Sequence, residues 1–134
     1  MIPKFRVWHY ELGRLMSVKC MFFQDSEIEE FELNDTLMND YITAYPDEIE
    51  LMQSTGLKDK NGKEIFEGDV VRMRNPRDRR QIGMFQVVRV ANSPMLGLLC
   101  KKLTTEVFNL YEHMRNYYEV KGNIYENPEI LEEK

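Results

Sequence analysis

Apolar and polar residues alternate with period two along much of this chain, and that alternation predicts strands. Residues 5–8 form one such run and residues 15–23 another, with Gly13 breaking them apart. In the second run Met16, Val18, Cys20 and Phe22 alternate with polar residues such as Ser17 and Lys19. After a polar break at 24–27, Phe31 and Leu33 alternate with Glu30 and Glu32 as a third short strand. From Asn34 the period changes. Leu37, Met38, Tyr41, Ile42 and Tyr45 share one helical face, Asn34 or Asp35 can cap its start and Pro46 ends it, so a short helix is expected there.

The stretch TGLKDKNGKEIFEGDVVRM, residues 55–73, crowds turn residues and charges together. A two-residue turn at Asn61-Gly62 would set Asp59 opposite Glu64, a like-charge pair. A three-residue loop of Lys60, Asn61 and Gly62 instead pairs Asp59 with Lys63, Lys58 with Glu64 and Leu57 with Ile65, with Gly62 left-handed at a bulge. Glu67-Gly68-Asp69 makes a second turn, and residues 70–73 leave it as a strand. Every unusual residue here has a backbone role, which makes the stretch a joint in the fold.

Beyond it come a polar loop at 75–81, a strand at 82–90, a turn at Asn92-Ser93-Pro94 and an apolar run at 95–100. Residues 107–114 fit a strand or a helical turn equally well, and 117–125 resume the strand pattern. Asn127-Pro128 then starts a final helical turn, asparagine at the N-cap and proline at the first helical position. Short strands punctuated by Gly, Asn and Pro read as a small barrel. The expected fold class is therefore mainly β (α+β).

A length of 134 residues fits one domain or two small lobes. Apolar residues at 43% and charged residues at 31% suffice for a core and argue against disorder. Cys20 and Cys100 lie far apart in apolar runs, each without a neighbouring cysteine or histidine at metal-ligand spacing, and read as free buried thiols. No uninterrupted apolar stretch follows Lys4 and Arg6, so neither a leader nor a membrane span is expected, and a cytoplasmic location is the default. The net charge of −5 hides segregation: residues 25–50 hold ten acidic and no basic residues, while 51–102 hold eleven basic and five acidic. Such a dipolar chain can close on itself, assemble head to tail, or present its basic part to a polyanion.

Two blocks, LMQSTGLKDKNGKEIFEGDVV at 51–71 and EVKGNIYENPEILE at 119–132, together with FRVWH at 5–9, resemble the YopX family of phage and prophage proteins. The resemblance spans nearly the whole chain, although the arginine-rich middle lies outside its blocks. It implies an N-terminal β-rich part with a short helix, residues 1–54, followed by an SH3-like β-barrel, residues 55–134. It also implies an oligomer encoded by a bacteriophage or prophage and working in the bacterial cytoplasm. It carries no activity and no catalytic or binding residues, because the family is uncharacterised.

Candidate chemistry is sparse. Asp59, Asn61 and Gly62 followed by Glu64, Glu67 and Asp69 suggest a calcium loop, but the further oxygen ligands and the glutamate six residues after the glycine are missing. His9 and His113 have no partner at triad or zinc spacing and read as packing or surface residues. Paired carboxylates such as Glu29-Glu30 sit in a general acidic run and give no hydrolase signal. No catalytic residue, metal ligand or cofactor is assigned, and the chain is not expected to be an enzyme. The one charged cluster that stands out is RMRNPRDRRQ, in which Arg72, Arg74, Arg77, Arg79 and Arg80 face a single Asp78. Five guanidinium groups so close form an anion-seeking surface, with Phe85 or Tyr117 as candidate stacking faces. The competing reading sets these arginines against the acidic segment 25–50, in one chain or a neighbouring subunit, and a pI near 5.1 favours it.

Two functions follow as expectations. The first is a non-enzymatic interaction or assembly module that self-associates or docks onto another phage or host protein, its scattered methionines and tyrosines supplying an adaptable rim. The second is a nucleic-acid-binding accessory protein using the arginine loop 72–80.

Overall fold

The computed structural model describes residues 4–35, 40–89, 96–100 and 107–132. It contains eleven strands among those residues and divides into two compact units, Met1–Gln53 and Ser54–Lys134.

In the first unit β1 (Phe5–His9), β2 (Arg14–Gln24), β3 (Glu27–Asp35), β4 (Asp40–Ala44) and the start of β5 (Ile49–Lys58) form an antiparallel sheet in the order β4-β3-β2-β1-β5. The strands read from residues 5–8, 15–23 and 31–33 are present as β1, β2 and β3, but the alternation of β2 breaks at a bulge at Lys19, after which Met21 rather than Cys20 and Phe22 packs on the core. Their apolar faces supply the core: Val7, Met16, Phe31, Leu33, Ala44 and Ile49 are buried together. His9 is buried as well, accepting the Leu12 amide on Nδ1 at 3.1 Å, so this histidine shapes the β1–β2 turn. Cys20 and Cys100 are both free thiols, but only Cys100 is buried; Cys20, just past the β2 bulge, is half-buried.

The helix expected from Asn34 onward is not formed in the described residues. Asn34 and Asp35 close β3, and Asp40–Ala44 is a strand registered on it, Leu33 opposite Ile42 and Phe31 opposite Ala44. The spacing of Tyr41, Ile42 and Tyr45 suits a helical face, but Tyr41 and Tyr45 are half exposed while Ile42 and Ala44 turn inward. The true period is two. An open edge on β3 offered these residues ladder hydrogen bonds, and Ile42 and Thr43 are β-branched, which lowers helix propensity and suits a pleated surface. Pro46 does end the run, as the first residue of a 3-10 turn, Pro46–Glu48. Leu37 and Met38 lie outside the described residues, as do the turn at Asn92-Ser93-Pro94 and Met95.

In the second unit the far end of β5 pairs with β6 (Glu64–Phe66), and β7 (Asp69–Arg74), β8 (Ile82–Arg89), β9 (Leu96–Leu99), β10 (Val107–Asn109) and β11 (Tyr118–Asn123) form a sheet in the order β10-β9-β8-β7-β11. A meander thus runs from β7 to β10, and β11 returns beside β7 after a 3-10 turn, Glu112–Tyr117. Among the described residues this ladder ends at β10 and β11 and does not close. The ambiguous segment 107–114 resolves into both alternatives, strand first and 3-10 turn after. Ile65, Val71, Met73, Phe85, Val87, Leu98, Phe108 and Tyr118 make the core, with Phe85 and Phe108 edge to face at 6.1 Å. The last 3-10 turn, Pro128–Glu132, follows Asn127, whose carbonyl accepts the Ile130 amide at 3.1 Å.

That last turn crosses closely over Gly122. A Cβ there would meet Asn127 Oδ1 at 2.5 Å and Ile130 Cδ1 at 2.7 Å, both tips of side chains that can rotate away. Gly122→Ala is therefore expected to cost about 1 kcal/mol, the low end of overpacking, read as a small fall in the denaturant midpoint with an unchanged slope.

Candidate functional site

The turn-rich segment 55–73 is built around buried carboxylates. Asp59, 1% exposed, accepts the Asn61 and Lys63 amides on Oδ1 and the Val120 amide on Oδ2, each at 2.9 Å. The first two bonds hold the three-residue loop, in which Gly62 is left-handed at φ +81° and the Asp59 amide donates to the Lys63 carbonyl. The third ties that loop to β11, where the Lys60 amide also donates to the Tyr118 carbonyl at 3.0 Å. Burial opposes ionisation of Asp59, but the three amide donors and nearby Lys63 outweigh it and hold the carboxyl below its ordinary value.

The loop pairs Lys58 with Glu64 as the charge argument required. Leu57 is not in register with Ile65, because the ladder shifts between Ser54 and Lys58. Gly56, at φ +79°, sits in that irregularity. The other carboxylates are engaged too: Glu64 accepts the Ser54 hydroxyl, Glu67 pairs with Arg89 at 3.4 Å, and Asp69 accepts the Phe66 amide at 2.8 Å. Gly68 donates to the Val87 carbonyl and accepts from Ile124, fastening the second turn on both sides.

The arginine loop is the end of the β7–β8 hairpin. Asn75 and Gln81 close it, amide to carbonyl at 3.1 Å and Nδ2 to Oε1 at 3.0 Å, and Asn75 Oδ1 accepts the Arg77 amide. Asp78 caps a 3-10 turn, Arg79–Gln81, by accepting the Arg80 amide, and receives the Arg80 guanidinium on both oxygens at 3.1 and 2.9 Å. The bidentate pair lowers the Asp78 pKa. Arg80 also lies 5.6 Å from the centre of the Phe108 ring.

The five arginines thus separate by role. Arg72 stands on β7 opposite Glu119, and Arg80 belongs to Asp78 and Phe108. Arg74, Arg77 and Arg79 are exposed, and no carboxylate of the described residues lies within ion-pair distance of them. Arg74 is registered opposite Ile82, so this exposed isoleucine shares its face. Phe85, offered as a stacking face, is fully buried in the core and cannot serve, because β8 turns it inward against Phe108. Tyr117 is half buried in the 3-10 turn before β11. An exposed ring stands at the start of that turn instead: Tyr111 caps it, 5.3 Å from His113, and was not among the stacking candidates.

The split gives a prediction. Arg80→Ala should lower the melting temperature measurably, through loss of the Asp78 clamp and the Phe108 contact, while Arg77→Ala leaves it unchanged; equal melting curves for the two variants would contradict the assignment.

A family model described as YopX protein matches residues 4–132. Among solved structures, the crystal structure of protein EF1440 from Enterococcus faecalis is similar to this chain, with a TM-score of 0.65 and 27% identity over 98% of this chain and 99% of that one. No curated protein sequence matches. Among the described residues no helix is long and apolar enough to cross a membrane.

Proposed function

Because this chain belongs to the YopX family, we propose that it is a non-enzymatic interaction module of a bacteriophage or prophage, acting in the bacterial cytoplasm by self-assembly or by docking onto another phage or host protein. One observation carries the reading: charge is spent unevenly. The carboxylates of the turn segment hold backbone or pair within the fold, whereas Arg74, Arg77 and Arg79 stand exposed beside exposed Ile82. Exposed cations beside an exposed apolar residue suit a protein-docking patch. An SH3-like arrangement of the second unit belongs to the same reading, supported by a meander from β7 to β10 whose last partner, β11, returns beside β7.

Recovery of the tagged protein from prophage-induced cells, followed by sedimentation of the eluate, tests this. The expected result is a stoichiometric complex, of the chain with itself or with one other protein. A lone monomer at every concentration would contradict it.

A second reading is favoured by the same three free guanidinium groups: binding of a nucleic acid through the hairpin end. It predicts retention on DNA or RNA that falls steeply with salt and disappears in the Arg74→Ala, Arg77→Ala, Arg79→Ala variant. The acidic pI of about 5.1 makes it the weaker of the two.

A further inference from the structure

The second chemically distinctive surface lies in the first unit. β2 and β3 form a hairpin longer than its neighbours: β1 pairs with β2 only over Arg14–Ser17, and β4 with β3 only over Phe31–Asp35. Among the described residues, 22–24 and 27–30 therefore pair only with each other, as a short two-stranded arm. Its tip is the two-residue turn Asp25-Ser26, with φ of 53° and 68°, both positive as a primed hairpin turn requires. Two bulges, at Lys19 below the arm and at Glu29 within it, reset which residues face outward along the hairpin.

The arm carries an unusual pairing of residues. Phe22 and Phe23 are 45% and 63% exposed, and beside them stand Asp25, Glu27, Glu29 and Glu30. The nearest cation along β2, Lys19, is engaged with Glu32 at 3.7 Å and lies over the Tyr41 ring at 3.8 Å. Two neighbouring aromatic side chains left in water on a hairpin tip cost free energy unless something covers them. Acidic edges of this kind also resist pairing with an identical edge, since like charges would meet. The tip therefore calls for a cationic partner with an apolar element, and guanidinium groups suit it best because they bind carboxylates in bidentate fashion and stack on aromatic rings.

The same chain supplies that complement. We propose that the exposed end of the β7–β8 hairpin, Arg74, Arg77, Arg79 and Ile82, docks onto the acidic, aromatic tip of the β2–β3 arm of a second copy, the arginines meeting Asp25, Glu27, Glu29 and Glu30 while Ile82 covers the exposed Phe22 ring, which shares a face with Glu30 across the hairpin. Three cations face four anions, and each half carries exposed apolar area that a phosphate backbone would leave wet. Each copy presents one donor and one acceptor surface, so the contact is heterologous, and it propagates until a ring closes or a filament grows. This inference rests on the interaction-module reading and names its partner.

Analytical ultracentrifugation of four samples tests it: the wild type, a hairpin variant (Arg74→Glu, Arg77→Glu, Arg79→Glu), an arm variant (Asp25→Lys, Glu27→Lys, Glu29→Lys, Glu30→Lys), and an equimolar mixture of the two variants. Circular dichroism checks that each variant keeps its strands. The wild type is expected to self-associate, more weakly as salt rises. Each variant alone loses association by tenfold or more, and the mixture regains it, because each then supplies the surface the other needs. Self-association insensitive to both reversals overturns this inference and leaves the interaction-module reading standing, as does a monomer that instead binds a distinct host or phage protein. A monomer retained on single-stranded DNA only while Arg74, Arg77 and Arg79 are present overturns it in favour of a polyanion. A monomer that binds nothing overturns both.

Discussion

Replacing Asp59 with alanine is expected to lower the unfolding free energy by about 3 to 5 kcal/mol, because three backbone amides, from Asn61, Lys63 and Val120, lose their acceptor together. Asp59→Asn divides that loss. Its remaining oxygen can keep the two loop amides, while its amide group would face the Val120 N–H, donor against donor, so about 1 to 3 kcal/mol is expected. Urea unfolding followed by circular dichroism measures both, and an Asp59→Asn variant as stable as the wild type would mean that the tie to β11 carries no weight. The carboxyl titrates below its ordinary value in the folded state, so its ionic contribution to stability is fully present above the unfolded pKa, near 4. It is lost as pH falls through the lowered folded value. The wild type should therefore lose stability toward Asp59→Asn on acidification below about pH 4, and the difference between them should be constant from there toward neutrality.

Gly97→Ala is expected to cost about 1 to 3 kcal/mol and to loosen the β9–β10 pairing first. Gly97 lies on β9 opposite Asn109, and a Cβ there would overlap Val107 Cγ1 and come 2.9 Å from the Phe108 carbonyl oxygen. The oxygen is backbone, so relief requires β10 itself to move, and Phe108 then leaves its contact with Phe85. Gly122→Ala introduces the same methyl group against mobile side-chain tips, which is why the smaller loss is expected there. Amide exchange should show faster opening across 107–109 in Gly97→Ala; uniform protection would contradict the geometric cause.

These two sites mark what was legible in the sequence. The loop at Lys60-Asn61-Gly62 followed from local charge, since only one register avoids setting Asp59 against Glu64. That Asp59 also reaches Val120, sixty-one residues on, has no local signal. The helix expected from Asn34 failed for the same reason, as the deciding partner was the edge of β3. In the arginine cluster the Asp78-x-Arg80 spacing signals a local clamp, a capping carboxylate with a cation two residues later, and it could have removed Arg80 from the candidates. Phe85 was misplaced because the apolar run of β8 does not itself say which residues face inward. The overhang of the β2–β3 arm was invisible, for strand lengths depend on partners far along the chain.

The central claim is that this protein meets its partner through the arginine end of the β7–β8 hairpin, while the turn segment around Asp59 only holds the fold. A dilution and salt series of the nitrogen-15 amide spectrum tests it most directly. The claim predicts shifts concentrated at residues 74–82 and 22–30 as association weakens, with 59–63 unmoved. Shifts centred on 59–63, with the hairpin end silent, would contradict it.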